Sequence, residues 1–221
     1  MNQHKRKELQ AVKVISNQLL ATNVHHIKLE KPFSFQAGQV VALTMHPTDE
    51  PRLYSIASGT SQAYLGILFD VKPDGELTPP LSKVKPGDTL YISAPFGKFL
   101  CKEQPATWIA TGTGIAPFIS LVESGLANNI ALLHGARTID KFYFQDELQD
   151  KLGENYLRFC TTESGPQIME GRLTNYLENA TNLPTNNKYY LCGGSQMVID
   201  VREILIAKGV PYDNIIAEIY F

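Results

Sequence analysis

The apolar positions change their rhythm part-way along the chain. Up to about residue 104 they fall in short β-branched runs at 12–15, 38–43, 64–69 and 89–93, separated by clusters of Pro, Gly and Asp. Runs of that length bounded by turn residues predict strands, and the gaps leave little room for helices, so this half reads as an antiparallel β-barrel or sandwich. Beyond residue 104 the pattern alternates. An apolar strand at 107–111 leads through a glycine turn into a helical run. Strands at 130–134, 156–160, 189–192 and 214–220 then alternate with helices around 141–151, 173–178 and 196–208. That alternation predicts a doubly wound parallel α/β sheet. The expected domains are 1–103 and 104–221, and the short joining segment 101–105 predicts that they sit against each other.

Composition removes whole classes. A chain of 221 residues, 43% of them hydrophobic, is not a disordered one; at this size it can bury about 70% of its unfolded surface. A net charge of −2 leaves no overall basic footprint for nucleic acid. The total hides a split, however: residues 1–104 carry 12 Lys+Arg against 9 Asp+Glu, a net of +3, whereas 105–221 carry 8 against 13, a net of −5. Cys101, Cys160 and Cys192 form no close-spaced pair, which argues against a disulfide framework and against a zinc or iron–sulfur site, so no metal is expected. The basic first residues are followed by no apolar run of a signal peptide, and no stretch approaches the ~18 apolar residues of a membrane span. A cytoplasmic monomer without membrane contact is expected. The neighbours His25 and His26 would face opposite ways on a strand, which makes a poor metal site and predicts surface or cap positions.

Five short motifs carry chemistry. In Arg52-Leu53-Tyr54-Ser55, an extended strand points Arg52 and Tyr54 one way and Ser55 the other, so a cation and an aromatic face can address one ligand. A surface Arg beside a packing Tyr is the plain alternative. Gly75-Glu76-Leu77-Thr78 follows Asp74 and by itself reads as a turn. Gly112-Thr113-Gly114-Ile115-Ala116-Pro117 lies between the first parallel strand and its helix. There glycines admit close backbone approach, the helix start offers amides to a pyrophosphate, and Thr113 adds a hydroxyl. Leu191-Cys192-Gly193-Gly194 again follows a strand; no His partner for a nucleophilic thiol is readable. The fifth is Ala217-Glu218-Ile219-Tyr220-Phe221, which without the others would read as core.

Taken in order, from about residue 36 onward, these motifs resemble those of the ferredoxin–NADP reductase family. The resemblance implies an FAD-binding barrel followed by an NAD(P)-binding domain. By it, Arg52 binds the flavin cofactor's pyrophosphate, Tyr54 packs on the isoalloxazine, and the Ser55 hydroxyl lies beside flavin N5. Gly75, Leu77 and Thr78 hold the pyrophosphate, a group found in FAD and not in FMN. Gly112, Thr113 and Gly114 receive the nicotinamide nucleotide, Cys192 and Gly193 line the nicotinamide pocket, Glu218 assists at the active site, and Tyr220 with Phe221 covers the flavin. Ser55, Cys192, Glu218 and Tyr220 are thus the implied catalytic set. Arg137 and Arg172 match two of the cations that hold the 2′-phosphate of NADP(H), while a third is replaced by Glu163, which keeps NAD(H) open. The implied reaction is hydride exchange between NAD(P)H and FAD N5, with electrons passed to ferredoxin or flavodoxin. Such carriers are acidic, which suits the basic barrel half with Lys83, Lys85, Lys98 and Lys102, and Lys5-Arg6-Lys7 beside them. Service to an oxygenase or to free flavins is the alternative within the enzyme class, and a redox-inactive nucleotide-binding sensor the alternative outside it.

Overall fold

The structure is a computed structural model describing residues 8–220. Strands β1 (Leu9–Ala21), β2 (Val24–Glu30), β3 (Val40–Thr44), β4 (Arg52–Ser55), β5 (Tyr64–Asp70) and β6 (Thr89–Ser93) form one antiparallel sheet in the order β4-β3-β6-β1-β2-β5. An antiparallel bridge between Ile56 and Ile67 links the two outer strands and closes the sheet into a barrel. Along β1 the alternation is direct, with Val12 and Val14 buried and Lys13 exposed between them. Ile27, Leu29, Val41, Leu43, Leu65 and Leu90 fill the interior from the other strands.

The first half also contains a helical turn that the pattern did not predict, α1 (Thr78–Leu81). Pro79 and Pro80 conceal it. Both suit a first helical turn, where their missing amides cost nothing and their fixed φ is already helical. Leu81, fully buried, anchors the turn to the barrel.

The second half is a parallel sheet of β7 (Ala106–Thr111), β8 (Ile130–Ala136), β9 (Tyr156–Cys160), β10 (Ile168–Glu170), β11 (Lys188–Gly194) and β12 (Ile215–Tyr220), ordered β10-β9-β8-β7-β11-β12. Helices α2 (Ala116–Glu123), α3 (Gln145–Leu152), α4 (Leu173–Asn179) and α5 (Ser195–Ala207) connect it. The helix expected at 141–151 is broken in two, a 3-10 turn over Ile139–Lys141 and then α3, because Phe144 takes a left-handed φ of 58° between them. Strand order reverses between β7 and β11. A sheet of this kind opens a crevice at the carboxyl ends of its strands at such a reversal.

The two sheets share a core. Ala57, Leu68, Phe99 and Cys101 from the barrel side pack in one cluster with Trp108, Phe118, Tyr190 and Cys192. Phe99 meets Phe118 and Tyr190 edge-on, at 5.7 and 5.6 Å between ring centroids. Polar contacts reinforce the seam. Ser120 Oγ of α2 donates to the Ser58 carbonyl at 2.8 Å, the Gly59 amide donates to Glu123 Oε2 at 2.6 Å, and the Thr60 amide donates to Ser124 Oγ at 3.0 Å. Among the described residues no helix is long and apolar enough to cross a membrane.

The histidine pair departs from expectation. His25 is half-buried, but His26 is buried at the seam, its ring edge-on to Phe144 at 5.2 Å. Alternation along β2 puts His26 on the outer face of the barrel, opposite Ile27 and Leu29, as a surface reading expects, but the second domain covers that face and Phe144 packs on the ring. Burial, helped by the Lys28 charge and opposed by a hydrogen bond with the Ala57 backbone, pushes its pKa down to about 4. His134 is fully buried beside Tyr156, and burial followed by the Arg158 charge pushes it down to about 3. Both are held neutral in the fold. The unfolded chain therefore binds more protons below pH 6.5, and stability falls as the pH drops from 6.5 toward 4. His26 alone contributes about 3 kcal/mol to that loss. Chemical denaturation at pH 7, 5.5 and 4 checks this; His26→Gln should flatten the slope, and an unchanged slope would exclude His26 as its source.

Candidate active site

β4 carries Arg52 and Leu53 exposed, Tyr54 half-buried and Ser55 buried. The alternation explains Ser55: it turns away from Tyr54, toward the parallel sheet. There it meets the last strand. Ser55 Oγ donates to Glu218 Oε1 at 2.7 Å, and the Tyr220 hydroxyl stands 2.6 Å from Ser55 Oγ. A serine hydroxyl has one proton, and here the carboxylate takes it, so Tyr220 is the donor to Ser55. The chain of hydrogen bonds thus runs Tyr220 to Ser55 to Glu218.

Cys192 completes the group. It sits in β11 opposite Glu218 of β12 and opposite Ala110 of β7, fully buried, with its thiol in hydrogen-bonding reach of the Tyr220 hydroxyl. Burial raises the thiol pKa, and the nearby Glu218 carboxylate raises it further. The thiol is therefore neutral and no nucleophile. Burial also raises the pKa of Glu218, while the Ser55 hydroxyl pulls it back. Burial raises the Tyr220 phenol well above its usual range.

The two glycine turns flank the crevice between β7 and β11. Gly112 has a left-handed φ of 56° and faces open space, as does Gly194. Gly114 is required for a different reason, because a Cβ there would run into the Cys192 carbonyl. Gly193 is equally confined, between Thr111 and Met197. A 3-10 turn over Gly112–Ile115 leads into α2, with Pro117 in its first turn.

The Gly75–Thr78 turn lies on the barrel. Leu77 packs on the barrel core, and the Thr78 hydroxyl accepts the Lys72 amide at 2.8 Å, closing the turn. The amides of Glu76, Leu77 and Thr78 donate to no described residue. With the hydroxyl oxygen engaged by Lys72, these amides are what the turn offers a ligand.

Arg137 follows β8 and Arg172 caps α4; both are exposed. Glu163, also exposed, accepts the Ile139 amide at 2.6 Å, which draws the loop after β9 onto the loop after β8. Lys83, Lys85, Lys98 and Lys102 are exposed. Phe221 and Lys5-Arg6-Lys7 lie outside the described residues. Among the described residues no group of three His, Cys, Asp or Glu is arranged to hold a metal. Reading the sequence alone missed Asn17 and Phe69, which stand behind the Tyr54 side of the site. Neither belongs to a motif.

A barrel joined to a doubly wound sheet, with four polar side chains meeting at the seam, defines a two-domain oxidoreductase of the flavin and nicotinamide nucleotide class. The match to family models agrees. Residues 7–100 match the oxidoreductase FAD-binding domain, and residues 108–203 match the oxidoreductase NAD-binding domain. A flavodoxin/ferredoxin–NADP reductase of Shigella flexneri is 32% identical over 192 residues, covering 76% of this chain and 77% of that protein. The chain belongs to the ferredoxin–NADP reductase family. The reductase component of a propane 2-monooxygenase from Mycolicibacterium smegmatis is 28% identical across 95% of this chain, which spans 66% of that relative's length. A ferredoxin NADP+ reductase from Neisseria gonorrhoeae, solved with bound FAD and NADP, shares the fold at a TM-score of 0.86. It is 22% identical, over 96% of this chain and 99% of that one.

The residues present fit these cofactors. Exposed Arg52 and half-buried Tyr54 share one face of β4, a cation beside an aromatic ring, and the amides of Glu76, Leu77 and Thr78, which donate to no described residue, suit a pyrophosphate. Open space over Gly112 and Gly194 leaves room for a nucleotide at the crevice.

Ser55→Ala should leave the half-buried Glu218 and Tyr220 without this partner and cost about 1–2 kcal/mol of stability. In a double-mutant cycle with Tyr220→Phe, the coupling should be about 0.5–1.5 kcal/mol. Strict additivity in urea denaturation would show that the two hydroxyls do not act together.

Proposed function

We propose that this protein is an NAD(P)H-dependent flavoenzyme that delivers electrons to a one-electron carrier. The observation that carries the reading is the Tyr220–Ser55–Glu218 chain beside Cys192, standing where the barrel strand Arg52–Ser55 meets the crevice between β7 and β11. FAD, when bound, supplies the chemistry that converts a two-electron donor into single electrons.

The protein's own residues do the rest. Arg52 and the amides of Glu76, Leu77 and Thr78 hold the cofactor's phosphates, with Gly75 opening the turn; Tyr54 fixes its ring. Ser55 presents its hydroxyl oxygen to the reacting edge while Glu218 keeps that hydroxyl oriented. The glycine turn at 112–114, with Thr113, binds the nucleotide pyrophosphate. Gly193 allows close approach at the crevice. Cys192 keeps a neutral, apolar wall for the nicotinamide and excludes water.

NADPH is the nucleotide assigned, on the exposed cations Arg137 and Arg172 at the carboxyl edge of the sheet. Glu163 favours a second reading. Its carboxylate lies at the same edge, where it can accept hydrogen bonds from an unphosphorylated ribose, as NADH requires. Ferredoxin or flavodoxin is the acceptor that the basic barrel half favours, through exposed Lys83, Lys85, Lys98 and Lys102. An oxygenase component is the alternative acceptor, supported by the relatives that are reductase components.

Stopped-flow mixing of the flavin-loaded protein with NADPH, with NADH and with an acidic ferredoxin tests the reading. Flavin absorbance should bleach on NADPH, and carrier reduction should slow as salt screens the exposed charges. A protein that takes up no FAD, or is bleached by neither nucleotide, is not this enzyme. A strong NADH preference would overturn the choice of NADPH, and a rate indifferent to salt would remove the acidic carrier. Ser55→Ala should lower the bleaching rate about 10–100-fold.

Tyr220 must break its bond to Ser55 before nicotinamide can reach the flavin. Tyr220→Ser should therefore tighten nucleotide binding by up to about tenfold, the worth of one net hydrogen bond. Unchanged affinity in equilibrium titration would count against Tyr220 as a gate.

A further inference from the structure

Behind the Gly75–Thr78 turn, Asn17 of β1 closes a hydrogen-bonded bridge. Its Nδ2 donates to the Ser82 carbonyl at 2.9 Å and to the Val84 carbonyl at 3.0 Å, and its Oδ1 stands 2.8 Å from His25 Nδ1. Two carbonyl partners fix which end of the amide is nitrogen. Oδ1 can only accept, so His25 carries a proton on Nδ1 and donates it. Ser82 is the residue that ends α1, where the last carbonyls find no partner within the helix.

The His25 ring continues the bridge in the other direction. It stacks on Phe69, its neighbour across the β2–β5 pairing, with 5.5 Å between centroids and 16° between planes. Phe69 meets Tyr54 edge-on at 6.4 Å. One chain of contacts thus runs from Tyr54 through Phe69, His25 and Asn17 to α1. The turn needs such a support. It is one helical turn long, two of its four residues are prolines, and Leu81 is its one fully buried side chain. Thr78 ties its front to Lys72, while Asn17 ties its back to the barrel wall.

From this chain of contacts we infer that Asn17 and His25 are positioning residues that fix the distance between the Tyr54 ring and the amides of Glu76, Leu77 and Thr78. Tyr54 marks the ring end of the flavin site and the amides mark its pyrophosphate end. Holding that distance matches the barrel to a flavin dinucleotide over a flavin mononucleotide, which lacks the pyrophosphate. The inference rests on the flavin reading of this turn.

Titration of the full flavin-free chain with FAD and with FMN tests it. Asn17→Ala loses both bonds behind the turn and should weaken FAD about tenfold while leaving FMN unchanged. Asn17→Asp keeps the shape and the acceptor for His25 but cannot donate to two carbonyls, so it should lose FAD affinity as Ala does. If Asn17→Ala does not fold, His25→Leu removes the orienting donor with Asn17 in place, and the same FAD-selective loss is expected. Equal weakening of both flavins means a general structural role and overturns the inference, as does full affinity in Asn17→Asp. A wild-type chain that binds FMN and FAD equally also overturns it, and one that binds neither brings down the flavin reading beneath it.

Discussion

The contact on which the site depends is the docking of α2 against the segment that follows β4. Ser120, Glu123 and Ser124 occupy positions i, i+3 and i+4, so they fall on one helical face. All three engage the backbone of residues 58–60. A side chain at Gly59 would collide with Glu123, so the barrel backbone comes as close to the helix as glycine permits. The amino end of this helix grows out of the 112–114 glycine turn, and the segment it grips continues directly from Ser55. One helix therefore fixes the separation of the two halves of the site, at one end by hydrogen bonds and at the other by the turn it begins. The apolar cluster around Phe99, Phe118 and Tyr190 packs beside this joint, and the Ser120–Ser58 bond, the buried one of the three, is strengthened by the exclusion of water.

With that separation fixed, the remaining site geometry follows from backbone contact between β7 and β11. Gly114 lies against the Cys192 carbonyl, and Gly193 lies against Thr111. At Gly114 the approach is main chain to main chain, whereas at Gly193 the Thr111 and Met197 side chains close in, so both set the opening. Cys192 is fully buried there, with the Glu218 carboxylate as a charged neighbour. Its thiol stays protonated and serves as a small apolar wall.

Much of this was readable because the patterns concerned are local. The parallel strands are continuous apolar runs, since both faces are covered, and Trp108, Ile109 and Ala110 of β7 are all fully buried. The glycine turns are legible because their residue types are dictated by backbone approach. What escaped is of two kinds. Short elements were masked by their own residues: α1 by its two prolines, β10 by having three residues, and β2 by a His pair that resembles surface. Contacts between distant segments leave no local mark either. Ser55 and Tyr220 are 165 residues apart, and neither sequence neighbourhood announces the other. The Asn17–His25 pair is eight residues apart, on adjoining strands, yet neither residue sits in a motif. Its meaning appears only when β1 is seen passing behind α1. The burial of His26 belongs to the same class, because it stands on the outer face of β2, opposite Ile27 and Leu29, and is covered there by Phe144 from the other domain.

The direction of the hydrogen-bond chain carries a further consequence. Tyr220, Ser55 and Cys192 each possess a hydroxyl or thiol proton to give, and Glu218, when ionised, is the one group of the four that only accepts. Its burial works against that ionised state, and the Ser55 hydroxyl works for it. The carboxylate and the serine thus hold each other in place: ionised Glu218 keeps the Ser55 proton turned away from the crevice, which leaves the serine oxygen free to accept from Tyr220. A protonated Glu218 would compete as a donor and release Ser55 to rotate. The orientation of the Ser55 hydroxyl is therefore governed by a carboxylate contributed by the other domain.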